Sequence, residues 1–389
     1  MHLDHLGLED FRNYQSQALD LDPGVNLVVG RNAQGKTNLL EAIHVLGGLG
    51  SPRAADAALV RRGTDRALVH GTVTKGSRSV QIDLEIRPGK GLRALLNGSP
   101  LPRTRSLGEV IVAVFFGPDD LLVIKGSPEG RRRFIDDLAL KLRPVRATIR
   151  RDWERILRQR NALLKSARAA TPGSTRGTLE VWDESFARVG AALVRARLDA
   201  LGALGPYAGK RYETVAGGGR LEITYSSEWL DGGWSEAAIA DPAAAKEADL
   251  RRALEQALDE VRVRELERGT SLIGPQRDDL IISLTSPHAA ASLDARLYAS
   301  QGDQRSAALA LKLGEHDVLT DTLRAPPILL LDDVFSELDP ARRRYLGEAV
   351  RGMGQTVLSS AEPGGIESVH PDRVFEVRDG RAEVVGAPH

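Results

Sequence analysis

Val28-Val29-Gly30-Arg31-Asn32-Ala33-Gln34-Gly35-Lys36-Thr37 is the stretch whose reading decides the fold. Apolar residues lead into a glycine-spaced loop closed by Gly35-Lys36-Thr37, and Asn38-Leu39-Leu40-Glu41-Ala42-Ile43 continue it as a helix-forming run. Strand, loop and helix in that order make a phosphate loop, with the helix N-terminus facing the anion. Gly30 and Gly35 let the backbone turn tightly enough for successive N–H groups to point into one cavity. Gly30 through Asn38 are therefore expected to line a nucleotide. Lys36 would bridge the β- and γ-phosphates, and the Thr37 hydroxyl would bind Mg²⁺. A glycine-rich structural turn is the bland reading of the same letters. The apolar strand before the loop and the amphipathic run after it remove most such cases.

Outward from that loop, the 389 residues suffice for two or three domains, each with its own core. Hydrophobic content of 42% and charged content of 27% are those of an ordinary soluble globular chain. Lys and Arg number 53, as do Asp and Glu, so overall charge speaks neither for nor against nucleic acid. The absence of Cys excludes disulfides, thiolate metal sites and thiol nucleophiles. Met1-His2-Leu3-Asp4 has no signal-peptide pattern, and no apolar run approaches the ~18 residues that span a bilayer. A cytoplasmic protein is the simplest expectation.

From Gly48 to about residue 116 the texture is β. Val80, Ile82, Leu84 and Ile86 alternate strictly, Asn97-Gly98 signals a hairpin turn, and Val110 to Phe116 reads as a strand buried on both faces. At Ser127-Pro128-Glu129-Gly130 the texture becomes helical. Leu179, Trp182, Phe186, Val189 and Leu193 step by three and four, and Ala169 to Thr178 reads as a turn or linker. The chain then returns to α/β, with strands at Leu280–Leu284 and Ile328–Leu331, a helix over 304–323, and a hairpin turn at Asp379-Gly380.

Ile328-Leu329-Leu330-Leu331-Asp332-Asp333 is the second anchor. A short apolar strand delivers two adjacent acids to a sheet edge, where Asp332 can hold Mg²⁺ and Asp333 can face an attacking water. Taken alone, such a pair is as often a helix cap as a metal site. The phosphate loop and the acids lie at opposite ends of the chain yet must meet at one nucleotide. The sheet must therefore be built from both ends. Tyr298-Ala299-Ser300-Gln301-Gly302-Asp303-Gln304-Arg305-Ser306 opens the helix before the acidic strand. There Ser300 and Gly302 can offer donors to an anion at a helix N-terminus. Ser336-Glu337-Leu338-Asp339 follows the acids directly. Each of these two stretches alone could be no more than a helix cap.

In this order the four stretches resemble Walker A, signature, Walker B and D-loop of an ABC-type ATPase head. In that class two heads sandwich two nucleotides, and each signature touches the γ-phosphate on the partner's Walker A. The expected fold is thus α/β: a P-loop NTPase with a β-rich subdomain, built from both chain ends, with an inserted, mainly helical lobe. Its expected division is 1–126, 127–268 and 269–389. The split head resembles the SMC-like, DNA-repair branch and, over essentially the whole chain, the RecF family of bacterial recombination mediators. The carrying residues are Phe11-Arg12-Asn13-Tyr14, Gly30 to Thr37, Gly126-Ser127-Pro128 with Arg131 to Asp136, Gly274-Pro275-Gln276-Arg277-Asp278-Asp279, Tyr298 to Ser306, and Leu330 to Asp339. That resemblance implies an ATP-dependent homodimer binding DNA near single-strand gaps, with weak, DNA-stimulated ATP hydrolysis as its switch. It further implies cooperation with RecR and RecO in placing RecA on DNA coated by single-strand-binding protein, and puts Arg12 and Asn13 near the nucleotide.

The chain departs from the family pattern at Asp303, where the signature normally carries Gln, and at Gln276, where His is expected. No switch histidine follows Thr356-Val357-Leu358, only Ser359 and Ser360, and Gly117-Pro118-Asp119-Asp120 stands in the place of a Q-loop. From Arg131 to Arg168 there are 13 Lys or Arg against four Asp or Glu. Arg146, Arg150, Arg151, Arg155, Arg158 and Arg160 line a helix or its flanks, a candidate DNA contact that would read phosphates rather than bases. A solvated face with Arg stems covering apolar surface is the alternative. An ABC transporter energy subunit would show a compact head and a switch histidine, and a metabolic P-loop kinase would leave the signature stretch unexplained.

Overall fold

The computed structural model describes residues 1–389 except 49, 52, 147, 170–175, 231–244, 287–290, 362–368 and 386–389. The chain packs as two units, Met1–Asp120 with Leu309–His389, and Leu121–Ala308.

The first unit holds two six-stranded sheets. One is antiparallel in the order β2-β1-β4-β5-β6-β7, built from β1 His2–Phe11, β2 Tyr14–Asp20, β4 Ala67–Lys75, β5 Arg78–Arg87, β6 Gly91–Leu96 and β7 Ser99–Leu101. Alternation along β4 and β5 turns Val69, Val73, Ile82, Leu84 and Ile86 inward and leaves the other face to solvent. The second sheet runs β15-β14-β3-β13-β12-β8. Its strands are β3 Val25–Val29, β8 Ala113–Phe116, β12 Ile328–Asp332, β13 Thr356–Ser360, β14 Arg373–Arg378 and β15 Arg381–Val384. All neighbours except β14 and β15 pair in parallel.

Every residue of β8, β12 and β13 is buried, as parallel strands covered on both faces require. On one face the cover is α1, Lys36–Val45, which packs against β8, β12 and β13. Leu39, Leu40 and Ile43 of α1 belong to one apolar core with Leu330 and Val357 of this sheet and with Leu6, Val69 and Ile82 of the other. Gly71 of β4 permits that approach, because a Cβ there would lie 2.7 Å from Leu46 Cδ1. The strand expected over Val110–Phe116 is only Ala113–Phe116. Its partner β12 offers just Ile328 to Leu331, and residues 110–112 enter as a buried turn closed by the Ile111 N–H on Leu107 O.

The second unit carries α2 Leu122–Lys125, α3 Pro128–Leu142, α4 Ile149–Ala169, α5 Arg176–Val215 and a helix over Glu247–Arg268. A three-stranded sheet joins them, β11-β10-β9, from β9 Arg220–Ser226, β10 Asp279–Thr285 and β11 Ser292–Asp294. Residues 269–308, expected with the C-terminal part of the head, pack in this unit because β10 pairs with β9 along its whole length. The centre of the linker expected at Ala169–Thr178 lies outside the described residues.

Three buried arginines hold this unit together. Arg160 donates to Asp183 (2.7 Å), Glu265 (2.6 Å) and Ser271 (2.7 Å) and lies over the Phe186 ring. Arg197 grips both oxygens of Asp136 and donates to Pro275 O at 2.7 Å. Arg131 grips both oxygens of Asp279 at 2.7 Å and donates to Gly126 O. Removing one partner from such a buried pair leaves an uncompensated charge, which typically costs about 3–5 kcal/mol.

Candidate functional site: the phosphate loop and the acidic strand

β3 ends at Val29, and the loop from Gly30 to Gly35 turns the chain into α1. Gly30 is required by close approach, since a Cβ there would collide with Val377 O. Gly35 stands at φ 121° with no space for a side chain beside Asn13 and the Tyr14 hydroxyl. Ala33 is held at φ 65°, the left-handed region that an L side chain rarely occupies. Arg31, Asn32 and Ala33 are exposed.

Lys36 folds back over the loop, its Nζ donating to Gly30 O at 2.6 Å and Arg31 O at 3.0 Å. Burial lowers its ammonium from the ordinary value, and the carboxylates of Asp333 and Asp332 oppose that shift. One strand, β13, separates β3 from β12, and the next residue of α1 bridges the gap: Thr37 Oγ1 donates to Asp332 Oδ1 at 2.8 Å. The loop and the acidic strand, 295 residues apart for this pair, meet as the sequence requires.

Ser359 connects the two acids. Its hydroxyl donates to Asp332 Oδ1 at 2.8 Å and accepts the Asp333 N–H at 3.0 Å. Asp333 itself sits at φ 53°, and among the described residues its buried Oδ1 has no hydrogen-bond partner. A left-handed non-glycine residue with an unsatisfied oxygen costs free energy, and such strain collects at functional sites. Arg53 Nη1 lies 4.0 Å from Asp332 Oδ2. Sequence reasoning missed Arg53, which follows α1 in a stretch with neither periodicity nor motif. Its segment is anchored by Ser51, which donates to the buried Glu41 and accepts the N–H groups of Arg53 and Ala54.

Arg12 is engaged structurally. Nε and Nη2 each donate to Glu41 at 2.8 Å, satisfying a fully buried carboxylate on α1. Asn13 props the loop, its Nδ2 donating to Gln34 O at 2.8 Å while Oδ1 accepts from the Asn38 amide. At the place of the Q-loop, Asp120 accepts the Gly117 N–H at 2.8 Å and pairs with the buried Lys312 at 3.2 Å. Burial raises the Asp120 carboxyl, against the pull of Lys312.

In the second unit, Ser300 precedes the helix Gln301–Leu323. Its hydroxyl donates to Asp303 Oδ2 at 2.7 Å and accepts the Asp303 N–H at 3.2 Å. The Ser300 hydroxyl is thus engaged by Asp303 at the start of its own helix. Gly302 O accepts from the Ser306 hydroxyl.

The six arginines expected along a helix or its flanks divide. Arg160 is a buried structural hub and no DNA contact, because the side of α4 that carries it also buries Trp153, Ile156 and Leu164. Arg146 pairs with Asp199 at 2.7 Å, and Arg150 pairs with Asp137 and Glu154. Arg151, Arg155, Arg158 and Lys165 are exposed. Their spacing of four, three and seven puts them on one stripe of the helix. Among the described residues Arg151 and Arg158 carry no ion pair, while Arg155 meets only Asp152. Among the described residues no cluster of three His, Cys, Asp or Glu could hold a metal ion, and no helix is long and apolar enough to cross a membrane.

A parallel sheet with phosphate loop and acidic strand one strand apart, an antiparallel subdomain and a helical unit between the chain's two ends define an ABC-type ATPase head of the SMC-like kind. The RecF/RecN/SMC N-terminal domain family matches residues 2–383. "DNA replication and repair protein RecF" of Streptomyces avermitilis is 42% identical, over 99% of this chain and 100% of that one. The protein of the same name from Kineococcus radiotolerans is 43% identical over 96% and 97%. A solved structure of the recombination mediator RecF-ATPrS in the RecFOR pathway superposes with a TM-score of 0.87 at 29% identity, covering 99% of this chain and 98% of that one. The chain belongs to the RecF family of DNA replication and repair proteins.

Proposed function

We propose that this chain binds MgATP at Gly30–Asn38 and that two copies close on ATP into a DNA clamp near single-strand gaps. Working with RecO and RecR, the clamp helps place RecA, and slow, DNA-stimulated hydrolysis reopens it. The observation that carries the reading is the 2.8 Å bond joining the Thr37 hydroxyl to Asp332 beside the inward-folded Lys36. A hydroxyl and a carboxylate side by side are the hard oxygen pair that suits Mg²⁺, which keeps its remaining positions for water and phosphate. The metal would neutralise charge on the β- and γ-phosphates.

In this reading Lys36 turns from the loop carbonyls to the phosphates, and Asp333 positions or deprotonates the attacking water. Ser300 and Gly302 complete the site on the partner copy. Arg151, Arg155 and Arg158 hold DNA phosphates, with Arg146 and Arg150 in a lesser role because both are already paired. The solved RecF-ATPrS structure supports ATP as the nucleotide.

Calorimetry with MgATP, followed by sedimentation with and without ATP and gapped duplex DNA, tests the whole reading. Lys36→Ala is expected to lose nucleotide affinity and, with it, ATP-dependent DNA binding. Undiminished ATP binding by that variant removes the phosphate-loop assignment.

A further inference from the structure

The phosphate loop is braced from outside by a turn of the chain that lies more than 340 residues downstream. β14 pairs with β3 as far as Glu376 opposite Val29, and then turns through Asp379 at φ 48° and Gly380 at φ 73° into β15. Those angles are those of the two-residue hairpin turn that Asp-Gly favours. The turn delivers two backbone donors to one loop residue. The Asp379 N–H reaches Gln34 Oε1 at 2.6 Å, and the Gly380 N–H reaches Gln34 O at 3.2 Å. Asn13 Nδ2 donates to the same carbonyl at 2.8 Å.

Gln34 is thereby held by its side chain and by its carbonyl, directly after Ala33 in its left-handed conformation. A conformation of that kind persists only where neighbours over-determine it. The turn is itself fixed. Gln17 of β2 makes two bonds to the Ala382 backbone of β15, at 2.9 and 2.8 Å, and a Cβ on Gly380 would stand 2.5 Å from Asn13 O. No residue other than glycine fits between the turn and the Asn13 backbone.

We propose that the β14–β15 turn is a positioning element of the phosphate loop, with Gly380 and the Gln34 side chain as positioning residues that hold the loop N–H groups convergent for a nucleoside di- or triphosphate. This rests on the nucleotide reading of the loop. Binding energy that the clamp pre-organises is not spent on ordering the loop when the phosphates arrive. Neither residue touches the reacting atoms, so their loss acts on affinity and leaves the chemical step alone.

The test is a double-mutant cycle on the full chain with Gly380→Ala, Gln34→Met and the pair. Gln34→Met keeps the side chain's length and removes the oxygen that accepts from Asp379. MgATP and MgADP affinities, KM and kcat for ATP hydrolysis, and the thermal midpoint without nucleotide are measured for each. Each single variant is expected to weaken both nucleotides about threefold to tenfold, the net scale of one neutral hydrogen bond. KM rises while kcat stays at the parent's value. The nucleotide-free midpoint stays at the parent's value for Gln34→Met and falls for Gly380→Ala, whose Cβ would meet Asn13 O at a positive φ. The pair is expected to be no weaker than the worse single variant, because both break one clamp. A merely structural role for Gln34 would lower the midpoint of Gln34→Met and would not spare its kcat. If the parent binds and either variant binds equally well, or if the two effects add as for independent sites, the clamp is overturned and the nucleotide reading stands. A parent that binds no MgATP overturns both. Should Gly380→Ala fail to fold, the comparison of Gln34→Met with the parent decides alone.

Discussion

Asp332 and Asp333 are neighbours in sequence, yet the chain treats them differently. Asp332 ends a fully buried strand and accepts hydroxyls from Thr37 and Ser359, whereas Asp333 stands in a left-handed conformation with one oxygen unsatisfied. The sequence carried the pair and noted Ser359 only as standing in the place of a switch histidine. That its hydroxyl bonds to both acids is not legible there, because a serine on a buried strand has no periodicity to announce it. Asp303 is a similar case. Its identity marked a departure, and only the structure shows it accepting the Ser300 hydroxyl. Asp303→Gln keeps the helix start, removes a negative charge from the expected phosphate contact and releases that hydroxyl. ATP-driven dimerisation is expected to strengthen about fivefold or more, the scale of one charge-assisted contact. Light scattering against ATP concentration checks it, and unchanged dimerisation means Asp303 does not weaken the contact. A third residue, Asp278, accepts from Tyr225 (2.6 Å), Ser227 (2.8 Å) and Trp229 (2.9 Å) inside the second unit. Burial pushes its carboxyl up from 3.8 to about 6, against those donors and Arg197. A raised folded-state pKa means that the protonated form is favoured on folding. Its stabilising contribution is present below 3.8 and is lost as pH rises through about 6. Asp278→Asn is expected to flatten the thermal midpoint across that window. A parent and variant with parallel pH profiles would show that Asp278 does not titrate there.

At the scale of elements, apolar runs and turn residues made most of the first unit legible. β3 and β12 are short, mainly apolar runs, and Asn97-Gly98 and Asp379-Gly380 both turn hairpins at positive φ. What escaped was long-range pairing. Nothing in residues 269–308 says that β10 will join β9, so the division of the chain was drawn in a different place. The basic helix α4 shows the same boundary between composition and geometry. Counting charges found the helix, but sequence spacing alone did not separate Arg160, buried with two acids, from Arg151 and Arg158, exposed without an ion pair. The paired Arg150 is half-engaged before any DNA arrives. Arg151→Glu with Arg158→Glu is therefore expected to weaken DNA of every sequence and to reduce the salt slope by about two, one unit for each phosphate no longer neutralised. Arg150→Glu is expected to do less to DNA and more to stability. Fluorescence anisotropy over a salt series, with thermal melts, separates the two. An unaltered slope in the double variant would make α4 an ordinary solvated face.

Across the whole molecule, the distance along the chain between loop and acids makes the site depend on complete folding of the first unit. The phosphate loop comes from one end, the acids and Ser359 from the other, and α1 is sandwiched in the core that joins the two sheets. A site assembled this way is pre-organised, so binding ATP need not build it. In the proposed clamp, what hydrolysis would change is the population of closed dimers. There ATP would favour closure only by contacts made to a γ-phosphate, which vanish on cleavage. The geometry of Asp333 suits a slow timer. Its backbone is pinned by Ser359 and by the Ser336 hydroxyl on its carbonyl, and its side chain is one methylene shorter than a glutamate would be. A carboxylate set back by that length meets water less well, and small misplacements of a catalytic group cost large factors in rate. Asp333→Asn is expected to keep ATP affinity, to lower single-turnover cleavage about 100-fold or more as befits removal of a general base, and to prolong the DNA-bound dimer in proportion. Asp332→Asn, which weakens the oxygen pair with Thr37, is expected instead to lose Mg²⁺-dependent closure. Cleavage is followed by rapid quench and dimer lifetime by dilution under light scattering. If Asp333→Asn cleaves at the parent rate, Asp333 is not the base. If it cleaves slowly but its dimer opens as fast as the parent's, hydrolysis does not time the clamp, and opening must be set by the strength of the ATP-bound interface itself.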